Sequence, residues 1–80
     1  MKFPRDLSGE QLALALGRLG YQLTRQTGAH MRLTTTHPSE HHVTIPNHDS
    51  LRIGTLAAIL RDVAELHGMT RDELLQALFS

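Results

Sequence analysis

The stretch from Tyr21 to Thr35 constrains this chain most, because it reads as two strands broken by a glycine turn. Tyr21, Leu23 and Arg25 alternate with Gln22, Thr24 and Gln26; beyond the break, Met31, Leu33 and Thr35 alternate with His30, Arg32 and Thr34. Strand side chains alternate between faces, so the pairing register decides which sets meet. A two-residue turn at Thr27-Gly28 would set Leu23 opposite Arg32. A three-residue turn, Thr27-Gly28-Ala29, pairs Gln26 with His30 and Leu23 with Leu33, so the apolar sets agree. That second register is the expected one. Its other face carries Gln22, Thr24, Gln26, His30, Arg32 and Thr34, a polar surface with one histidine and one arginine beside a turn.

Helices flank this hairpin. Ser8 with Gln11 three residues on forms a capping box, Leu7 can staple to Leu12, and Leu12, Ala15, Leu16 and Leu19 recur at helical spacing up to Gly20. After a polar loop, Thr36 to His41, a third strand His42-Val43-Thr44-Ile45 stops at Pro46, with His42 and Thr44 on the polar face. Leu56, Ile59, Leu60, Val63 and Leu66 make a second helical stripe that ends at Gly68. Thr70 and Glu73 box the start of a third helix carrying Leu74, Leu75, Leu78 and Phe79. The order is α-β-β-β-α plus a short C-terminal helix, an α+β domain with two helices on one face of a three-stranded antiparallel sheet. One domain spans residues 1–80, with its core in 7–67 and a helical extension in 68–80.

Eighty residues leave room for one thin core. The chain has no cysteine, which rules out a disulfide frame and suits a reducing compartment. No apolar run reaches the length of a membrane span, and Met1-Lys2-Phe3-Pro4-Arg5-Asp6 does not read as a signal peptide, so a cytoplasmic protein is expected. Net charge is zero but unevenly spread. Residues 1–36 hold five Lys/Arg against Asp6 and Glu10, or +3, and residues 37–80 hold the opposite excess, −3. Positive charge therefore gathers around the hairpin, a weak pointer to a phosphate-bearing ligand.

Six histidines invite a metal reading. His37, His41 and His42 cluster in one loop, yet the acid beside them is Glu40 alone, and His41 and His42 point oppositely in a strand. Their spacing is not that of a zinc site, and no metal or other cofactor is expected. No nucleophile elbow, phosphate-cradling glycine loop or spaced carboxylate pair is present. His30 stands out for other reasons. It follows a turn where Gly28 allows a ligand's backbone close approach, it shares a face with Arg32, and imidazole moves protons near neutrality.

Three segments carry a resemblance when taken together: Arg25-Gln26-Thr27-Gly28-Ala29-His30, Val43-Thr44-Ile45-Pro46-Asn47-His48, and Leu51-Arg52-Ile53-Gly54-Thr55-Leu56-Ala57-Ala58-Ile59-Leu60. In this order the chain resembles the HicA family of toxins over roughly residues 7–67. The resemblance implies a fold similar to the double-stranded-RNA-binding domain and an mRNA interferase of a toxin–antitoxin pair. It further implies His30 as the catalytic histidine, mRNA as substrate and a HicB-like antitoxin as partner, with indirect DNA association through that antitoxin. The chain departs from the family pattern at Ala29, where serine is usual, and in its neutral net charge.

RNA can be cleaved by its own 2′-hydroxyl, so such a protein need supply only proton transfer, orientation and charge stabilisation. His30 is the expected acid or base. Arg32 is expected to balance phosphorane charge, as is Arg25 if its head reaches round the sheet edge. Gly28 permits close approach, and the helix start at Gly54 and Thr55 offers free backbone N–H groups to a phosphate. His42 and His48 are auxiliary candidates for the second proton transfer. The competing readings are a non-catalytic RNA-binding or regulatory domain of the same fold and an assembly subunit using the C-terminal helix.

Overall fold

The computed structural model describes residues 3–80; Met1 and Lys2, part of the expected chain start and of the basic half, lie outside the described residues. The chain forms α1 (Gly9–Leu16), a 3-10 turn (Gly17–Leu19), β1 (Gln22–Thr27), β2 (His30–Thr35), β3 (His41–Pro46), α2 (Ile53–His67) and α3 (Arg71–Phe79). The strands make one antiparallel sheet in the order β1-β2-β3. This is the expected α+β class and the expected α-β-β-β-α order with a C-terminal helix.

Local chemistry sets the helix ends. The Ser8 hydroxyl accepts from the Gln11 N–H at 3.0 Å, and the Gln11 side chain accepts from the Ser8 N–H at 2.9 Å. Thr70 and Glu73 repeat this reciprocal box at α3. Each satisfies donors that the first helical turn leaves unpaired. Gly20, at φ 88°, closes the 3-10 turn, and Gly68, at φ 64°, ends α2. α2 starts differently, because Arg52 at its N-cap gives no side-chain bond.

The core lies between the helices and one face of the sheet. Leu12 and Leu16 of α1, Met31 and Leu33 of β2, Val43 and Ile45 of β3, and Leu56, Leu60 and Val63 of α2 are all buried in one cluster. α3 belongs to that cluster through Leu74, Leu75 and Leu78. The Arg71 guanidinium stacks over the Phe3 ring at 4.1 Å, tying Phe3 to α3, and Arg18 of the 3-10 turn donates to the Ser80 carbonyl oxygen at 2.8 Å.

The hairpin departs from the expected register in one respect. Leu23 does pair with Leu33. The turn, however, holds two residues, Gly28 and Ala29, so that Thr27 pairs with His30, Gln26 with Met31 and Arg25 with Arg32. A bulge between Leu23 and Arg25 restores the Leu23–Leu33 pairing further along. The physical reason is the turn: a two-residue loop with Gly28 at positive φ matches the twist of the strands, whereas a regular ladder with a three-residue turn would aim Arg25 inward beside Met31. The extra residue re-aims it outward and leaves neutral Gln26 on the inner edge. Gly28 supplies the positive φ, 50°, that a two-residue turn wants at its first central position.

Candidate functional site

The outer face of the sheet is polar and uncovered by helices. Residues directly opposite one another share a face, so β2 contributes His30, Arg32 and Thr34, and β3 contributes Pro46, Thr44 and His42 across from them. From β1 come Thr27, opposite His30, and Arg25, opposite Arg32. Gln26, expected on this face, is not there; it lies on the inner side with Met31. In its place Arg25 stands beside Arg32. Neither β1 nor β2 contains an acid, and among the described residues neither arginine makes an ion pair. Like charges directly opposite in a sheet repel, so the pair attracts an anion from outside.

His30, the first residue of β2, is exposed immediately after the turn. The loop after β3 is pinned against it. The Asn47 N–H donates to the Ala29 carbonyl oxygen at 2.6 Å, and the Gly9 N–H donates to the His48 carbonyl oxygen at 2.9 Å. α1 approaches so closely here that a Cβ built on Gly9 would collide with the Pro46 carbonyl oxygen. The backbone that carries His48 is thus held between the hairpin turn and the start of α1. α2 begins seven residues after Pro46, the β3 residue opposite His30. Gly54 is exposed and Thr55 half-buried there, under a helix start that no side chain caps.

His42 is on the same face but elsewhere along it. It stands opposite Thr34, four residues from His30 on β2, or about 13 Å at the rise of a strand. A chain of hydrogen bonds fixes it: Glu40 Oε2 to Nε2 at 3.1 Å, Nδ1 to the Thr34 hydroxyl at 2.7 Å, and that hydroxyl to the Thr24 hydroxyl at 2.9 Å.

A second polar chain runs beneath the sheet at the far end from His30, and nothing in the periodicity pointed to it. The buried Tyr21 hydroxyl meets His41 Nδ1 at 2.7 Å and His67 Nε2 at 3.2 Å, and His41 Nε2 meets Asp62 Oδ2 at 3.2 Å. A neutral arrangement satisfies every link: His67 donates to Tyr21, Tyr21 to His41, and His41 to Asp62. Burial, and then the Asp62 charge, push the Tyr21 hydroxyl up to about 12. Burial, with His41 and His37 nearby, lowers the His67 pKa. As expected for neighbours in a strand, His41 points inward to this chain and His42 outward.

A family model described as the HicA toxin of bacterial toxin–antitoxin systems matches residues 9–64. The chain belongs to the HicA toxin family. The match runs from the first residue of α1 into α2, so it takes in the hairpin, His30 and the pinned loop and leaves α3 outside. No curated protein and no solved structure gives a significant match. Among the described residues, no helix of this HicA-family chain is long and apolar enough to cross a membrane.

Proposed function

We propose that this HicA-family toxin is an mRNA endonuclease that cleaves with His30 and needs no metal ion, and that a HicB-like antitoxin silences it. One observation carries the reading: Arg25 and Arg32 stand opposite each other, with no acid on either strand, on the face and at the end where His30 is exposed. Such a surface suits a phosphodiester between the arginines and the imidazole, with His30 two residues, about 7 Å, from Arg32.

In the reaction the RNA 2′-oxygen attacks the adjacent phosphorus, a P–O bond forms, and the bond to the 5′-oxygen breaks. One proton leaves the 2′-hydroxyl and one reaches the departing 5′-oxygen. His30 performs one of these transfers, which is worth about two to four orders of magnitude in rate. His48 is the better candidate for the other, since its loop is bonded to the hairpin turn. His42, about 13 Å along the strand, is better placed to touch RNA beyond the scissile bond. Arg25 and Arg32 balance the charge of the phosphorane. Gly28 leaves room for the RNA backbone, and the N–H groups near Gly54 and Thr55 take a neighbouring phosphate.

End-group analysis tests this chemistry. In excess chelator the purified protein should still cut RNA, leaving 2′,3′-cyclic phosphate or 3′-phosphate on one fragment and 5′-hydroxyl on the other. Fragments with 3′-hydroxyl and 5′-phosphate ends would show attack by water in place of the 2′-oxygen. Binding without any cleavage would favour the non-catalytic RNA-binding reading.

A further inference from the structure

The sheet is open along β1. This strand pairs with β2 alone, and all six of its residues are exposed. An open edge presents unpaired backbone N–H and C=O groups, a template for another strand. Two features lie on either side of that template. On the inner side a groove of about 420 Å³ separates β1 from α1, lined by Ala13, Leu14, Leu23, Met31 and Leu33 with Glu10 among its polar members. Leu14 is 80% and Leu23 53% exposed, two of the three large apolar side chains left open to solvent among the described residues. On the outer side stands Arg25, against Arg32 and without an acid.

A strand added to β1 would alternate its side chains between these two sides. Those on the inner side would cover Leu14 and Leu23; those on the outer side would lie next to Arg25. Charge complementarity selects the occupant. A second copy of this chain pairing β1 with β1 would bring Arg25 toward its own equivalent, since Gln22-Leu23-Thr24-Arg25-Gln26-Thr27 carries no acid. A nucleic acid strand would meet the arginines but has no side chains to bury the leucines.

We propose that the β1 edge docks an extended segment of a protein partner in which apolar and acidic side chains alternate, adding a fourth strand to the sheet. Docking there would set carboxylates on Arg25, where the reading above puts an RNA phosphate, so partner and RNA would compete. That competition rests on the proposed function, whereas the docking does not.

The test uses the full chain and no RNA. An acetylated, amidated seven-residue peptide alternating glutamate and leucine is titrated against the isotope-labelled protein, with a lysine–leucine peptide as control. The glutamate peptide should shift the amide signals of Gln22–Thr27 and slow their hydrogen exchange, and the lysine peptide should do neither. Arg25→Glu should weaken the glutamate peptide about fivefold, the upper end of a cross-strand charge pair, and Leu23→Lys should weaken it as well. Both positions are exposed, so neither substitution opens the core. Shifts centred away from β1, equal response to both peptides, no response at millimolar peptide, or concentration-dependent pairing of β1 with itself would overturn the proposal.

Discussion

Arg25 is the residue whose position changes the argument most. Alternation along the strand put it inward with Leu23, and the bulge turns it outward beside Arg32. If both arginines hold RNA phosphates, Arg25→Ala and Arg32→Ala should each weaken binding and flatten its dependence on salt. The slope of log K against log salt should fall by about 0.7 per arginine for a single strand, read from binding isotherms at several salt concentrations. An unchanged slope for Arg25→Ala would mean that its side chain plays no part in holding RNA. His67 makes a different prediction. Its pKa is lowered in the fold, so below the ordinary histidine value of about 6.5 the unfolded chain takes up the proton more readily. Its contribution is therefore present at neutral pH and lost as pH falls through 6.5 toward the folded-state value. Comparing melting temperatures of wild type and His67→Gln, the gap should narrow or reverse between pH 7.5 and pH 5.5. A constant gap would show that burial, with His41 and His37 nearby, does not set the state of this imidazole.

At the scale of elements, the helices were legible and the hairpin only partly so. Ser8 with Gln11 and Thr70 with Glu73 are local signals, and both capping boxes form as expected. A three-residue turn in a regular ladder and a two-residue turn with one bulge give the same Leu23–Leu33 pairing, so the apolar pattern could not separate them. They differ only between Leu23 and the turn, where the fit of Gly28 to a two-residue loop decides. The Tyr21–His41–His67 chain was hidden for another reason: its members are 20 and 46 residues apart, and only the packed fold brings them together. Close packing at α1 gives a contrast between two glycines. Alanine usually favours a helix over glycine by up to about 1 kcal/mol. Gly17 has open space around its Cβ direction, so Gly17→Ala should hold or raise the melting temperature. Gly9→Ala drives a methyl into the Pro46 carbonyl and should cost about 1–3 kcal/mol by denaturant unfolding, while loosening the loop that carries His48. Equal stability of the two variants would contradict the tight contact between α1 and that loop.

For the whole molecule, a neutral total conceals a division of labour. The +3 half of the sequence supplies α1 and the hairpin, and the −3 half supplies β3, α2 and α3. The helices cover one side of the sheet and leave the other free, so the His30 face, where the proposed RNA and antitoxin contacts lie, can be covered without any change in the core. Because His30 is exposed, truncating it leaves no cavity, and function can be separated from folding. The most direct measurement is therefore RNA cleavage by wild type and His30→Ala at matched purity, with the amide spectrum of each recorded beside it. Cleavage should fall by at least about a hundredfold while the spectrum changes only around the turn, the loss expected when a general acid or base is removed. A folded His30→Ala protein that cuts RNA within a few-fold of wild type would contradict the account.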